Sequence, residues 1–187
     1  MRLFVALQPP LSLRAEMVRA LKTLQSIKHR GINWVPAENL HLTVNFIGEV
    51  AEHQVDAIKE LVLVHASELK ATKLKAEGIT LFPSRSPRLI WLALSGDEKD
   101  LSLLNRQLLS GMRQLGIDAD AKKLKLHVTL GRIKAPQSPE FERTVLAQTL
   151  KTEETYWDTL ALYRSILRPE GPKYDIIEQY NLKYTEV

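Results

Sequence analysis

The sequence predicts an α+β fold built of largely antiparallel sheet, and two observations carry that reading. Strand-like apolar runs alternate with segments of helical period, yet the final stretch holds two long strands joined directly by a turn. A strand–helix–strand unit also recurs. In each copy the second strand opens on the same pattern, His41-Leu42-Thr43-Val44 and His127-Val128-Thr129-Leu130. The 187 residues therefore read as one unit, 1–187, of two pseudo-symmetric lobes with outer helices and a central cleft.

The elements follow in order. Arg2 to Gln8 is a strand rich in Leu, Phe and Val, ended by Pro9-Pro10. From Leu11 to about Lys28, Leu13, Met17, Leu21 and Leu24 recur at helical spacing. Ser12 and Glu16 lie near capping-box spacing, and Gly31 is the stop. Asn33-Trp34-Val35-Pro36 reads as a connector, and a strand runs from Leu40 to Ile47 until Gly48. A helix from Ala51 to Glu68 turns Val55, Ile58, Leu61, Val62 and Leu69 inward. Strands at Leu74 to Leu81 and Leu89 to Leu94 flank a Pro/Ser/Arg turn. A helix from Leu101 to Leu115 closes at Gly116. A strand from Leu126 to Ile133 precedes a short helix opened by Ser138-Pro139-Glu140 and running to about Thr149. The last two strands, Trp157 to Leu167 and Tyr174 to Tyr184, flank the turn Arg168-Pro169-Glu170-Gly171-Pro172.

Composition narrows the chemistry. With no cysteine, disulfides, iron–sulfur clusters, thiolate nucleophiles and cysteine-ligated zinc are excluded. The apolar start stops at Gln8-Pro9-Pro10, too short for a signal-peptide core, and no window approaches a membrane span, so a cytoplasmic protein without membrane attachment is expected. A monomer is expected. The net charge of +4 is modest, but basic residues cluster at Lys122-Lys123-Leu124-Lys125, just before His127, and at Arg85-Ser86-Pro87-Arg88. Basic groups beside a site favour a phosphate-bearing substrate. No G-x-x-x-x-G-K phosphate loop is present, so ATP is not implied.

The histidine–threonine pairs are the main clue. Residues i and i+2 of a strand share a face, so His41 with Thr43, and His127 with Thr129, leave each strand side by side. Their aliphatic neighbours point the other way, into a core. Near neutral pH one imidazole can accept a proton while a second donates. Phosphoryl transfer needs both, with attacker and leaving group in line, and hydroxyls can hold the non-bridging oxygens. A strained five-membered cyclic phosphodiester could be opened by such a device without a metal. A zinc or iron site would want three protein ligands with carboxylates or further histidines close by, and no metal and no cofactor is expected.

These residues resemble the LigT-like two-histidine phosphoesterases, specifically the RNA 2′,3′-cyclic phosphodiesterases also known as 2′-5′ RNA ligases. The resemblance spans nearly the whole chain. It includes Arg2 to Leu7, Asn33-Trp34-Val35, the signature Leu40 to Glu49, Pro87 to Leu92, the second signature His127 to Arg132, and Leu162 to Leu167 with Gly171 and Tyr174. Val44 stands where leucine is usual, and Lys125-Leu126 where the family often has a Phe-x-Pro-like lead-in. The resemblance implies His41 as proton donor, His127 as proton acceptor, and Thr43 and Thr129 on phosphate oxygens. The implied substrate is RNA with a 2′,3′-cyclic phosphate end, or a cyclic nucleotide. The implied product is a 2′-phosphate, with reversible 2′-5′ joining as a second activity.

Arg132 is a further phosphate-binding candidate, although five residues from His127 strict alternation puts it on the opposite face; it reaches the phosphate only if the strand bulges. By the same parity Phe46 is expected in the core. Trp34, Trp91 and Trp157 read mainly as core or lobe-interface residues, and His29, His53 and His65 as ordinary surface or boundary residues. Two other functions fit the composition: a two-histidine enzyme for a small cyclic phosphate such as an ADP-ribose derivative, and a non-catalytic basic RNA-binding module resting on Lys122, Lys123 and Lys125.

Overall fold

The computed structural model describes residues 1–169 and 171–184. In chain order the elements are β1 (Arg2–Leu7), α1 (Leu11–Ser26), β2 (Ile32–Trp34), β3 (Leu42–Glu49), α2 (Val55–Glu68), β4 (Thr72–Phe82), β5 (Leu89–Gly96), α3 (Glu98–Gln114), β6 (His127–Ile133), α4 (Pro139–Leu146), β7 (Thr155–Trp157), β8 (Thr159–Ile166) and β9 (Lys173–Asn181). They form an α+β fold of two sheets, ordered β3-β1-β8-β9 and β2-β6-β5-β4-β7. All the named strands pair antiparallel. No described helix is long and apolar enough to cross a membrane.

Helical period sets what each helix buries. α1 turns Leu13, Met17, Leu21 and Leu24 inward, and α2 does the same with Ile58, Val62 and Ala66. α3 buries Leu101, Leu104, Leu108 and Met112, together with the polar Asn105. Gly111 lets α3 close on α2, because a Cβ there would meet the Leu61 side chain. Ser138 caps α4 by accepting from the Phe141 N–H at 3.1 Å, with proline just inside the helix. Gly116, at φ +72°, ends α3 as the sequence predicts. One buried apolar cluster runs from Leu3 to Leu182 and takes residues from both sheets.

Several expectations need correction. α1 stops at Ser26 rather than Lys28, because Ile27 turns extended, and Pro10 rather than Ser12 stands at its N-terminus without a side-chain cap. The supposed connector at 33–36 contains β2, which pairs with β6. Gly48 does not end β3; at φ +89° it is accommodated in an irregular pairing with β1, and the strand continues to Glu49. The strand expected from Trp157 to Leu167 is two strands. Up to Trp157 the chain pairs with β4, and after Asp158 it pairs with β1 in the other sheet, so one residue switches lobes. β9 ends at Asn181, short of Tyr184, and in the turn before it Glu170 lies outside the described residues.

Candidate active site

β3 and β6 lie against one another, one from each sheet. His41, Thr43, His127, Thr129 and Arg132 all line a single cavity of about 790 Å³ between them. The sequence-predicted residues therefore converge.

Arg132 gets there through a bulge. Across β5, Ile90 pairs with Gly131 but Trp91 pairs with Thr129, which leaves Leu130 as an extra residue in β6. The extra residue reverses the side-chain alternation, and Arg132 returns to the face that carries His127 and Thr129. β3 does the same against β1: Val5 pairs with Asn45 and Ala6 with Thr43, leaving Val44 extra. Phe46 is consequently not a core residue. It is 52% exposed and lines the cavity. The carbonyl of the extra Val44 accepts from Asn105 Nδ2 on α3 at 2.8 Å, and Asn45 Nδ2 donates to the Asn105 carbonyl at 3.2 Å.

Each catalytic candidate is held by the backbone two residues before it. His41 Nδ1 lies 2.7 Å from the Asn39 carbonyl, and His127 Nδ1 lies 2.8 Å from the Lys125 carbonyl. A carbonyl only accepts, so Nδ1 carries the proton in both rings, and Nε2 is left as the atom that exchanges protons. His41 Nε2 lies 3.0 Å from Thr43 Oγ1, which donates to it when the ring is neutral.

The two rings have different surroundings. His41 sits among Phe4 (ring centroids 4.9 Å), Tyr163 (6.1 Å) and the edge of Tyr174 (5.4 Å). This burial pushes its pKa down to about 4 against the favourable Asn39 carbonyl, and the Arg132 and His127 charges push the same way. His127 instead stacks face to face on Trp91 at 3.9 Å, 22° from parallel. Its pKa is also lowered, chiefly by burial, against the Lys125 carbonyl and with help from the Lys125 and Arg132 cations.

The cavity wall carries Lys122, Lys123, Lys125, Arg168 and Lys173 as well as Arg132, against the carboxylates of Glu38 and Asp120. Asp120 is bound to Lys122 at 2.9 Å, which holds its carboxyl below the usual range. The basic cluster before His127 is thus part of the site, whereas Arg85 and Arg88 are not among its lining residues. Trp157 is a core residue, as expected, but Trp34 and Trp91 line the cleft. His29 is a half-buried boundary residue whose Nε2 accepts from Trp34 Nε1 at 3.1 Å. The sequence gives Tyr174 no role beyond the closing hairpin, yet that β8–β9 hairpin lays it over His41; Asn39 Nδ2 ties the hairpin down by donating to the Pro172 carbonyl at 2.9 Å.

Two antiparallel sheets that bring a His-x-Thr pair each to one basic cleft define a two-histidine phosphoesterase architecture. The LigT like Phosphoesterase family matches residues 7–91, which include the first pair. The RNA 2′,3′-cyclic phosphodiesterase of Archaeoglobus fulgidus is 34% identical over 93% of this chain and 96% of its own. That of Thermus thermophilus is 32% identical over 98% and 91%. Among solved structures, a Thermus thermophilus protein superposes with a TM-score of 0.83 at 30% identity, covering all of both chains. Escherichia coli LigT shares the fold at a TM-score of 0.68 and 20% identity, covering 97% of each chain. The chain belongs to the LigT-like phosphoesterases, and within them is similar over nearly its whole length to the RNA 2′,3′-cyclic phosphodiesterases.

Proposed function

We propose that residues 1–187 act as one two-lobed enzyme that hydrolyses the 2′,3′-cyclic phosphate end of RNA, or a cyclic nucleotide, to a 2′-phosphomonoester. The observation that carries this reading is the matched pair of imidazoles lining one cavity, each with Nδ1 fixed on a carbonyl and Nε2 left to exchange a proton. The names of the full-length relatives support the same substrate class.

In the proposed step, water attacks phosphorus opposite O3′. Its oxygen bonds to phosphorus as its proton passes to Nε2 of His127. The P–O3′ bond breaks, and Nε2 of His41 gives its proton to O3′. Thr43, Thr129 and Arg132 hold the non-bridging oxygens while negative charge gathers on them. The bound phosphate anion favours the charged form of His41, opposing the burial that keeps the ring neutral in the empty cleft. A 5′-hydroxyl in place of water would form a P–O5′ bond as P–O3′ breaks, giving a 2′-5′ linkage by the same transfers.

The step needs no metal. Its proton donor and acceptor are both imidazoles. The deciding experiment uses a 2′,3′-cyclic mononucleotide and a short RNA with the same end, in EDTA. Full activity in EDTA with a loss of about 10²–10⁴-fold in each of His41→Ala and His127→Ala is expected. Loss of wild-type activity in EDTA, or persistence in either variant, overturns the reading.

A further inference from the structure

We propose that Trp91 is a positioning residue that equips His127, rather than His41, to hold the transferred proton. The inference rests on the acid–base roles proposed above and adds what sorts them.

The geometry is a diagonal column across three strands. Thr80 on β4 pairs with Trp91 on β5, and Phe82 lies two residues farther along β4 on the same face. Trp91 in turn pairs with Thr129 on β6, and His127 lies two residues before it, again on that face. Diagonal neighbours are within reach of aromatic side chains. Phe82 stacks on Trp91 at 4.0 Å and 10°, and Trp91 stacks on His127 at 3.9 Å and 22°. Lys125 Nζ closes the far end, 4.3 Å from the Phe82 centroid.

A cation lying parallel against an indole face is attracted by the negative face of the ring. Trp91 therefore favours the imidazolium of His127 over the neutral ring. Among the described residues no ring stacks parallel on His41: Phe4 is tilted by 35° at 4.9 Å, Tyr163 by 33° at 6.1 Å, and Tyr174 meets it at 79°. The charged groups facing His127 act in the opposite direction. Lys125, Arg132 and His41 all disfavour a second positive charge in the cleft. Trp91 offsets them at the one histidine whose charged form the reaction must create.

The test is an NMR titration of the His127 ring in the substrate-free protein, a readout independent of turnover. Trp91→Leu keeps an apolar cover but removes the π face, and is expected to lower the His127 pKa by about 0.5 pH unit. Trp91→Phe keeps a face and is expected to fall between Trp91→Leu and wild type; it serves alone should the leucine variant not fold. Lys125→Met removes a facing cation and is expected to raise the same pKa. The kcat/KM–pH profile is expected to move in the same direction as the ring titration. An unchanged or raised His127 pKa in Trp91→Leu, or a raised one in Trp91→Phe, overturns the proposal, because the indole would then be only a cover. Activity retained in His127→Ala would instead overturn the assigned catalytic role and leave the titration result standing.

Discussion

Phe46 and Arg132 occupy equivalent places in two different strands, each five residues beyond its cleft histidine and each turned into the cleft by one extra residue after the threonine. The internal repeat thus extends from the His-x-Thr pattern to the backbone irregularity behind it. The outcome differs chemically between the lobes: an aromatic face on one side and a guanidinium on the other. Both ends of the asymmetry bear on a nucleotide, which offers a flat base and a charged phosphate.

Arg132 faces both histidines as well as the cavity, so its removal has two separable effects. Arg132→Met is expected to lower kcat/KM on a cyclic nucleotide by about 10²-fold, the scale of a lost charge-assisted donor in a transition state. It is also expected to raise the pKa of both rings, since a facing cation has gone. Arg132→Lys keeps the charge and loses the planar fork, and is expected to restore the titrations more fully than the activity. Steady-state kinetics with ring titrations checks this.

Asn105 is far from the reacting atoms in sequence and legible only in three dimensions. Its side chain satisfies the carbonyl that the β3 bulge leaves out of the ladder. Asn105→Leu leaves that carbonyl without its partner, at a cost of about 1–3 kcal/mol. A lower Tm is expected together with reduced kcat, because Thr43 and Phe46 flank the loosened bulge. Thermal unfolding with parallel kinetics is the measurement; a stable variant with full activity contradicts the role.

Acidity follows from burial. In the free enzyme His41, with its pKa pushed down to about 4, holds its proton only below that pH, and His127 loses its own below the ordinary histidine value. The proposed reaction needs one proton on the pair, placed on His41. Below both pKa values His127 is charged and cannot accept; above both, His41 is neutral and cannot donate. The kcat/KM profile, which reports the free enzyme, is therefore expected to be a bell centred on the acid side of neutrality. The bound anion raises the pKa of His41, so the alkaline limb of kcat is expected at higher pH than that of kcat/KM. Coincident limbs, or a kcat/KM maximum well above neutral pH, contradict the account.

Much of this is legible in the chain. Helical period marks the buried stripes of α1, α2 and α3, because a helix facing a sheet must hide one side. The two His-x-Thr pairs point to the candidate site, because alternation obliges both residues to share a face. What escapes is set by long-range pairing. Ile32–Trp34 is too short to show a period and becomes a strand only because β6 offers it an edge. The change of sheet at Asp158 leaves no local signature. Phe46 reads as core because parity counting presumes an uninterrupted ladder, and neither bulge is marked by a residue that demands one. The stack of Phe82, Trp91 and His127 requires three strands in fixed register.

The division of labour between the histidines can be tested most directly with a cyclic substrate whose bridging O3′ is replaced by sulfur. A thiolate leaves without a proton, so the donor becomes dispensable while the base does not. His41→Ala is expected to regain most of the wild-type rate on this substrate, and His127→Ala to stay inactive. Recovery of His127→Ala instead, or of neither variant, would contradict the assignment of His41 as acid and His127 as base.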